Sequence, residues 1–338
     1  MRWHCTNARS VIMKRPRRTF LHLAAGVAAL PFLSRFARAQ AYPSRPVRII
    51  VGFAAGGHAD ILARLMGQWL SERLGQSFVV ENRTGGGGNI GTEAVVRSSP
   101  DGYTLLLAGT TNAVNVTLYE KKLNFDFIRD IVPVGAIARD PNIVAVNPSV
   151  PVKTIPEFIA YAKAHPGDLN MASAGIGTPS HVAGELFKMM TGVRMPHVPY
   201  RGGGQALIDL LGGQVQVMFI SMSASINYVR DGKLRPLAVT TTSRSDALPE
   251  IPIVSDFIPG FEASIVSGIG VPRDTPIEII GKLNKEINVG LADPKTKARL
   301  ADMGSTALAG SPADFGNLIA DETAKWAKVI KFAGIKPQ

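Results

Sequence analysis

The sequence is poor in cysteine, in charge and in aromatic residues, and each shortage excludes a class of protein. Of 338 residues, Cys5 is the only cysteine, 19% are charged and 7% are aromatic, whereas 46% are apolar. A single cysteine excludes intrachain disulfides and a cysteine-based metal site. A chain of this length has enough apolar residues to form a core without either, and the length suggests two domains.

Acidic residues are absent from positions 1–39, which hold eight of the basic ones. Without those eight charges the net charge of +11 falls to +3. A charge of +3 is ordinary for the surface of a soluble protein and argues against a nucleic-acid partner. The basic "RPRRTFLHL", the apolar "LHLAAGVAALPFL" and the small-residue "ARAQA" predict an export signal cleaved after Ala39 or Ala41. The pair Arg17-Arg18 is typical of twin-arginine signals, and a general secretory signal is the alternative.

Catalytic and metal-binding motifs are also missing. There is no G-x-S-x-G sequence, and none of the histidines beyond the signal forms an H-x-x-x-H pair: His58, His165, His181 and His197. We therefore predict no catalytic residue, no metal and no cofactor. The segment "TGGGGNIG", Thr84–Gly91, matches a dinucleotide fingerprint, but it follows the second strand and lacks an acidic ribose partner, which argues against a nucleotide site.

From Tyr42 onward, strand patterns alternate with helical ones. Val47, Ile49 and Val51 alternate as in a strand, and the helical "ADILARLMGQWLSERLG" ends at Gly75. Strand, helix, strand, helix and strand predict a parallel sheet with helices on both faces. A second α/β unit follows, and "GFEASIVSGIGVP" crosses back to the first, where two amphipathic helices end the chain. We predict a signal over residues 1–39, a first lobe of 42–140 plus 262–338, and a second lobe of 141–261.

Loops that join a strand to a helix are the candidate sites, because open α/β sheets bind ligands beyond the carboxyl ends of their strands. In "FAAGGHAD", Gly56 and Gly57 precede a helix whose free N–H groups and positive dipole end favour an anion. A tight turn that requires glycine is the alternative. Asp60 is either favoured by the helix dipole or paired with a ligand ammonium.

A second loop, "SAGIGTPSH" over Ser173–His181, has the same character. Thr178 is predicted as the N-cap, with Pro179 at the first helical position and with Gly175 and Gly177 exposing backbone. One such helix start from each lobe can hold an anion across a cleft. His58 and His181 lie near these starts as surface residues or as ligand donors. Other strand ends offer Thr110, Thr111, Asn112, Tyr200, Arg201, Ser221 and Ser223, each of which alone is typical of turn chemistry.

Long motifs in a fixed order resemble one family. The segments "YPSRPVRIIVGFAAGGHADILARLMGQWL", "SPDGYTLLLAGT", "SAGIGTPSHVAGELFK" and "HVPYRGGGQALIDLLGGQVQVMF" resemble the Bug family, solute-binding proteins of tripartite tricarboxylate transporters. The resemblance implies an α/β two-lobed periplasmic binding protein of type II, with two doubly wound sheets that close on a carboxylate. Its loops match Phe53–Asp60 and Ser173–His181, and the family's acid in the first loop matches Asp60.

The residues and the resemblance together define the expected site and partners. The predicted ligand-binding residues are Phe53, Ala54, Ala55, Gly57, His58, Asp60, Thr110, Thr111, Ser173, Ala174, Gly175, Gly177, Thr178, His181, Tyr200 and Ser221. The expected ligand is a small organic acid, whether a mono-, di- or tricarboxylate, an amino acid or an aromatic acid. A monomeric receptor in the periplasm would deliver it to membrane permease subunits.

The chain departs from the family pattern at Ala54, Ala55 and His58, and at Arg201, where lysine is common. These departures prevent the ligand from being inferred from a relative. Two alternatives stay open: a receptor that signals to a membrane sensor kinase, and an exported hydrolase or lyase.

Overall fold

Two separate β-sheets organise the chain in the computed structural model, which describes residues 1–3, 42–120 and 122–337. The first sheet has the strand order β11-β4-β10-β3-β1-β2 and the second β7-β6-β8-β5-β9. The first contains β1 Val47–Val51, β2 Phe78–Asn82, β3 Thr104–Gly109, β4 Ile131–Asp140, β10 Ile265–Pro272 and β11 Thr306–Ala307. The second contains β5 Asn142–Val146, β6 Met171–Ser173, β7 His197–Pro199, β8 Val217–Ser221 and β9 Arg235–Val239.

Helices connect most of these strands and cover both faces of each sheet. They are α1 His58–Leu74, α2 Asn89–Val96, α3 Thr110–Leu118, α4 Phe127–Asp130, α5 Ile155–Ala164, α6 Pro179–Thr191, α7 Gly203–Leu211, α8 Met222–Arg230, α9 Ile277–Ala292, α10 Pro294–Asp302 and α11 Pro312–Ala333. Ile49 and Ile50, adjacent in β1, are fully buried in different apolar clusters on opposite faces of the sheet. Because both faces are covered, the strands are apolar almost throughout.

The predicted α/β class and two-lobed fold are confirmed, and the strand pairing is more varied than the sequence pattern predicted. β1 pairs in parallel with β2 and β3, as expected for strand–helix–strand units. β10 is antiparallel to both β3 and β4, so the first sheet is mixed. α1 ends at Gly75, whose φ of 70° is the left-handed C-cap predicted from its position.

The chain passes between the sheets at two adjacent crossings. β4 ends at Asp140 and β5 begins at Asn142, while the return runs from Thr240 to β10. Thr240 donates its hydroxyl to the carbonyl oxygens of Asn142 and Ala263 at 3.1 and 2.8 Å, and Asn142 Nδ2 donates to Ala263 at 2.8 Å. These buried bonds tie the crossings together, as in a hinge between two lobes.

The last helix, α11, contributes to both lobes. Phe315 and Ile319 pack under the first sheet. Trp326, only 1% exposed, joins the apolar cluster that includes Phe187 of α6 and Val144 of the second sheet. The predicted packing of this helix on the first lobe is therefore only part of its role, because its C-terminal half also touches the second.

None of the helices in the described ranges is long and apolar enough to cross a membrane. The predicted export signal and its cleavage sites lie outside the described residues, apart from positions 1–3.

Candidate functional site

A cavity of about 100 Å³ lies between the two sheets. Since one buried water needs about 10–15 Å³ of such volume, the cavity has room for a small organic molecule. The lining residues come from both lobes and, within the described chain, include no Lys, Arg, Asp or Glu: Phe53, Gly57, His58, Ala59, Leu107, Ala108, Gly109, Thr110, Thr111, Asn112, Asn142, Ala174, Thr178, Pro179, Ser180, Gly203, Met218, Ile220, Ser221, Ala224, Ile265, Val266 and Ser267.

Five helices begin at this cavity. First-turn or N-cap residues of α1, α3, α6, α7 and α8 all line it. In the described chain, no side chain caps the first-turn N–H groups of α1, α6 or α7, whereas in α8 the Ser223 N–H donates to Asp140 at 3.3 Å and the Met222 N–H donates to the Pro141 carbonyl at 2.8 Å. The first N–H groups of a helix lack intrahelical partners and carry partial positive charge. The cavity therefore offers anion-binding groups without any lysine or arginine side chain.

Asp60 fixes the first loop rather than lining the cavity. Its carboxylate, on a side chain only 5% exposed, accepts a hydrogen bond from the Gly56 N–H at 3.0 Å and two from Arg64 at 2.9 Å. Asn82 donates from Nδ2 to Asp60 at 3.0 Å and to the Phe53 carbonyl at 2.8 Å. Burial raises the pKa of Asp60, but the bonds from Arg64, Gly56 and Asn82 outweigh it, so the pKa lies below its usual value.

Ala54 and Ala55 face the opposite lobe. A Cβ placed on Gly202, the N-cap of α7, would come within 3.0 Å of the Ala54 Cβ. One placed on Gly204 would lie 3.5 Å from the Ala55 carbonyl oxygen. The glycines of "YRGGGQ" thus let the two lobes approach closely here, and neither alanine lines the cavity.

His58 does line the cavity and forms part of a chain of polar groups. Its Nδ1 lies 2.9 Å from Asp140 Oδ2 and 3.0 Å from Ser223 Oγ. Its Nε2 lies 2.9 Å from Ser267 Oγ. Asp140 is completely buried and also accepts a hydrogen bond from Ser305 Oγ at 2.9 Å.

Internal hydrogen bonds hold the second loop in shape. Thr178 is the N-cap of α6, yet its hydroxyl donates back to the Gly175 carbonyl at 2.6 Å rather than capping the helix. The Ala174 N–H donates to Ser180 Oγ at 3.0 Å. Gly175 and Gly177 have φ of 133° and 77°, which glycine adopts readily. Ala174, Thr178 and Ser180 line the cavity, whereas Ser173, Gly175 and Gly177 do not.

His181 lies behind this loop as a structural acceptor. The Gly177 N–H donates to His181 Nδ1 at 3.1 Å, so this nitrogen is the acceptor in the bond. The ring stacks on His197 with centroids 3.8 Å apart. Burial, together with the neighbouring His181, lowers the pKa of His197 to about 3, and its Nε2 lies 2.6 Å from Ser173 Oγ.

The remaining predicted residues divide between the cavity and its surroundings. Thr110, Thr111 and Ser221 line it. Thr110 also donates to Glu322 of α11 at 3.0 Å and accepts from the Val266 N–H at 2.9 Å. Tyr200 lies outside the lining and donates to Asp209 at 2.6 Å; burial and this bond raise its pKa to about 12.

Several lining residues were absent from the sequence-based list. Ser180 is one helical position beyond the predicted Pro179, and Ser267 and Asn142 lie on the two crossings. Asn112 belongs to the "TTNAVN" segment, which forms the start of α3 rather than a loop. The predicted helix start at Pro179 signals Ser180 and the predicted strand end signals Asn112, whereas the contribution of the crossings follows only from the arrangement of the lobes.

The glycine run of Thr84–Gly91 serves packing. A Cβ on Gly52 would meet the Gly88 backbone at 2.8 Å, and one on Gly91 would meet Gly52 at 3.0 Å. These glycines allow the segment to press against the end of β1. None of its residues lines the cavity between the lobes, and no cluster of metal-ligating side chains occurs in the described chain.

A second, larger cavity of about 440 Å³ lies against α3, on first-lobe residues and α11 alone. Its lining includes Asn89, Thr92, Asn115 and Lys331. Asn112 lines both cavities and donates from Nδ2 to Thr92 Oγ1 at 2.9 Å, so it forms part of the wall between them. Only the smaller cavity brings helix starts from both lobes together.

Comparison with known proteins agrees with this arrangement. Residues 62–335 match the model of the tripartite tricarboxylate transporter family receptor. Protein BugT of Bordetella pertussis is 36% identical over 300 residues, covering 88% of this chain and 92% of BugT.

Solved structures of similar proteins share the fold. The R. palustris protein Rpa4515 with adipate is 38% identical with a TM-score of 0.85, over 88% of this chain and all of that one. MatC of Rhodopseudomonas palustris with bound malate is 30% identical with a TM-score of 0.81, over 86% of this chain and all of that one. The periplasmic binding protein BugD is 34% identical with a TM-score of 0.83, over 88% of this chain and all of that one. The chain therefore belongs to the tripartite tricarboxylate transporter receptor family, whose members are periplasmic solute-binding receptors rather than enzymes.

Proposed function

We propose that this protein captures a small carboxylate between its lobes and delivers it to a tripartite tricarboxylate-type permease. The observation that carries the proposal is the meeting of five helix starts at one cavity, three of them without a side-chain cap. Unpaired N–H groups at the positive ends of helices suit an anion. Adipate and malate, bound to the two R. palustris proteins, are both carboxylates.

The rest of the lining favours an acid with an apolar body. Leu107, Met218, Ile220, Ile265 and Val266 line the cavity together with the polar groups. A second carboxylate would meet hydroxyls, amides and helix starts, because no cationic lysine or arginine lines the described cavity. Among the expected ligands, we therefore rank small monocarboxylates first and tricarboxylates last.

Binding energy and closure follow from the same contacts. Charge-assisted hydrogen bonds contribute roughly 1.5–3 kcal/mol each before ordering costs. Since α1 and α3 belong to one lobe and α6, α7 and α8 to the other, a ligand that bonds to both favours the closed arrangement by its differential affinity. The permease would recognise this closed form. We also propose that the receptor acts as a monomer and that a twin-arginine-type signal directs its export.

In space, Asp140 contacts His58 and His58 contacts Ser267, the same order of acid, histidine and serine as in the catalytic triad of a serine hydrolase. Because the family consists of receptors, we assign these groups to ligand recognition. Ester hydrolysis that disappears in Ser267→Ala would overturn this assignment. The alternative function, signalling to a membrane sensor kinase, has the same binding step as transport. It differs only in that a kinase, rather than a permease, recognises the closed form.

Thermal-shift measurements on protein stripped of ligand by unfolding and refolding test the binding step. The probes are small mono-, di- and tricarboxylates, amino acids and aromatic acids, each paired with its neutral amide. We expect at least one acid to raise the melting temperature and its amide to have little effect, since an amide lacks the anionic charge. No shift with any acid, or equal shifts with the amides, would contradict the proposal.

Two matched variants locate the site. Thr111→Asp places an acid at the second position of α3 in the cavity, and Ala313→Asp does the same at the exposed start of α11. Both suit a helix dipole, so both proteins should fold. Repulsion should abolish the ligand-induced shift in Thr111→Asp and leave it intact in Ala313→Asp, whereas equal responses would place the ligand elsewhere.

A further inference from the structure

Among the histidines of the described chain, only His58 combines three properties. It lines the cavity, its side chain is only 10% exposed, and both ring nitrogens have polar neighbours at 2.9–3.0 Å. His165 lies at the C-terminal end of α5, with its Nδ1 3.0 Å from the Tyr161 carbonyl. His181 accepts from a backbone N–H, and His197 has a pKa of about 3.

The buried carboxylate of Asp140 determines which nitrogen of His58 carries a proton. Asp140 is 0% exposed and accepts hydrogen bonds from Ser305 Oγ, from Ser223 Oγ at 2.8 Å and from the Ser223 N–H at 3.3 Å. An ionised carboxylate only accepts, so His58 Nδ1 faces it as a donor. Within the described chain, His58 is the only basic side chain in an ion pair with Asp140.

Two states of the ring then remain, and they orient Ser267 differently. In the neutral ring Nε2 is an acceptor, so the Ser267 hydroxyl donates to it and presents only its oxygen to the cavity. In the cationic ring Nε2–H donates to Ser267 Oγ, which frees the hydroxyl hydrogen to donate into the cavity. Ser267 therefore offers its hydroxyl as a hydrogen-bond donor to a carboxylate only when the ring is cationic.

Charge favours the same state once an anion binds. With a neutral ring, the pair of Asp140 and His58 carries one negative charge beside the cavity, which repels a carboxylate. Protonating the ring makes the pair neutral. The other groups packed on His58 are the hydroxyls of Ser223 and Ser267, while Asp60 on the same helix is bound to Arg64.

We propose that His58 is a specificity-determining residue that takes up a proton as the carboxylate binds, which turns Ser267 from an acceptor into a donor. This inference rests on the proposed function and adds that carboxylate binding is coupled to the uptake of a proton. The complex then holds up to one proton more than the free receptor. Affinity for a carboxylate should rise as the pH falls, by up to about tenfold per pH unit.

Calorimetry measures the proton directly. The best-binding acid from the thermal-shift screen is titrated into wild-type protein in two buffers of different ionisation enthalpy at one pH, between about pH 6 and pH 8. We expect the binding enthalpy to differ between the buffers by an amount that corresponds to uptake of up to one proton. In His58→Gln, which keeps polar groups but cannot titrate in this range, this difference should vanish. His165→Gln is the matched control and should behave like wild type.

The ring signals of wild-type His58 give a second readout that needs no stable variant. In ¹⁵N spectra, Nε2 should change from an unprotonated to a protonated shift when the acid is added. Carboxylate binding with no buffer dependence and no change at Nε2 would overturn this inference and leave the proposed function standing. Failure of every acid to bind at any pH would overturn both.

Discussion

Replacing Asp60 with asparagine should weaken both the fold and ligand binding. The carboxylate holds the Gly56 N–H, two guanidinium N–H groups of Arg64 and the amide of Asn82, all at 2.9–3.0 Å. Asparagine keeps the size but loses the charge and turns one acceptor into a donor facing these donors. Hydrogen bonds to charged groups contribute roughly 1.5–3 kcal/mol each, and solvent screens Arg64, whose side chain is 54% exposed. We therefore expect Asp60→Asn to lower the free energy of unfolding by about 2–4 kcal/mol.

Glu93→Gln is the matched control for this change. Glu93 pairs with Arg97 at the same four-residue helical spacing, but its side chain is 37% exposed. Such an exposed pair contributes only about 0.3–0.5 kcal/mol. Urea unfolding of both variants should shift the midpoint at an unchanged slope. Because Asp60 fixes the loop that starts α1, Asp60→Asn should also weaken carboxylate binding at least tenfold, which calorimetry measures. If Asp60→Asn costs no more than Glu93→Gln and binds normally, the reasoning is refuted.

Two further changes probe the structure around the site. The folded pKa of His197, about 3, lies below its unfolded value near 6.5, so the unfolded state binds more protons between these values and stability falls as the pH falls. In urea titrations from pH 7 to pH 5, His197→Asn should lose about 2 kcal/mol less than wild type, and an identical pH dependence would contradict the assignment. Gly109→Ala would place a Cβ 2.0 Å from the Val266 carbonyl oxygen and should cost about 3 kcal/mol or more, whereas Gly281→Ala in α9 meets nothing within 4 Å and should stabilise by about 0.5–1 kcal/mol. Equal melting temperatures for these two variants would contradict the packing of β3 against β10.

Much of the fold was predictable because local patterns and final packing agree. The strand of Val47, Ile49 and Val51 and the Gly75 stop follow from periodicity and from glycine's backbone freedom. β4 and α3 were missed. β4 is a crossing strand that is antiparallel to β10, so its role depends on a partner more than 120 residues away. The "TTNAVN" start of α3 is rich in Thr and Asn, residues that favour turns in isolation.

Some residues of the candidate site could likewise be predicted from the sequence, and others could not. Helix starts such as Gly57 and Thr178 can be located from strand-to-helix patterns, whereas Thr111 was predicted only as a strand end; the structure brings all three to one cavity. Asp60 and His181 also stand at helix starts, but their polar atoms bind to their own loops. Nothing in a linear pattern distinguishes an acid that faces a ligand from one that fixes a loop. The chain of His58, Asp140 and Ser267 joins residues up to 209 positions apart, so it could be recognised only in three dimensions.

A crystal structure of the receptor with its best-binding acid tests the central claim most directly. We predict that the carboxylate lies in the cavity between the sheets, with its oxygens accepting hydrogen bonds from first-turn N–H groups of at least one helix from each lobe. A carboxylate in the larger cavity beside α3, or one that contacts helix starts of a single lobe only, would contradict the account.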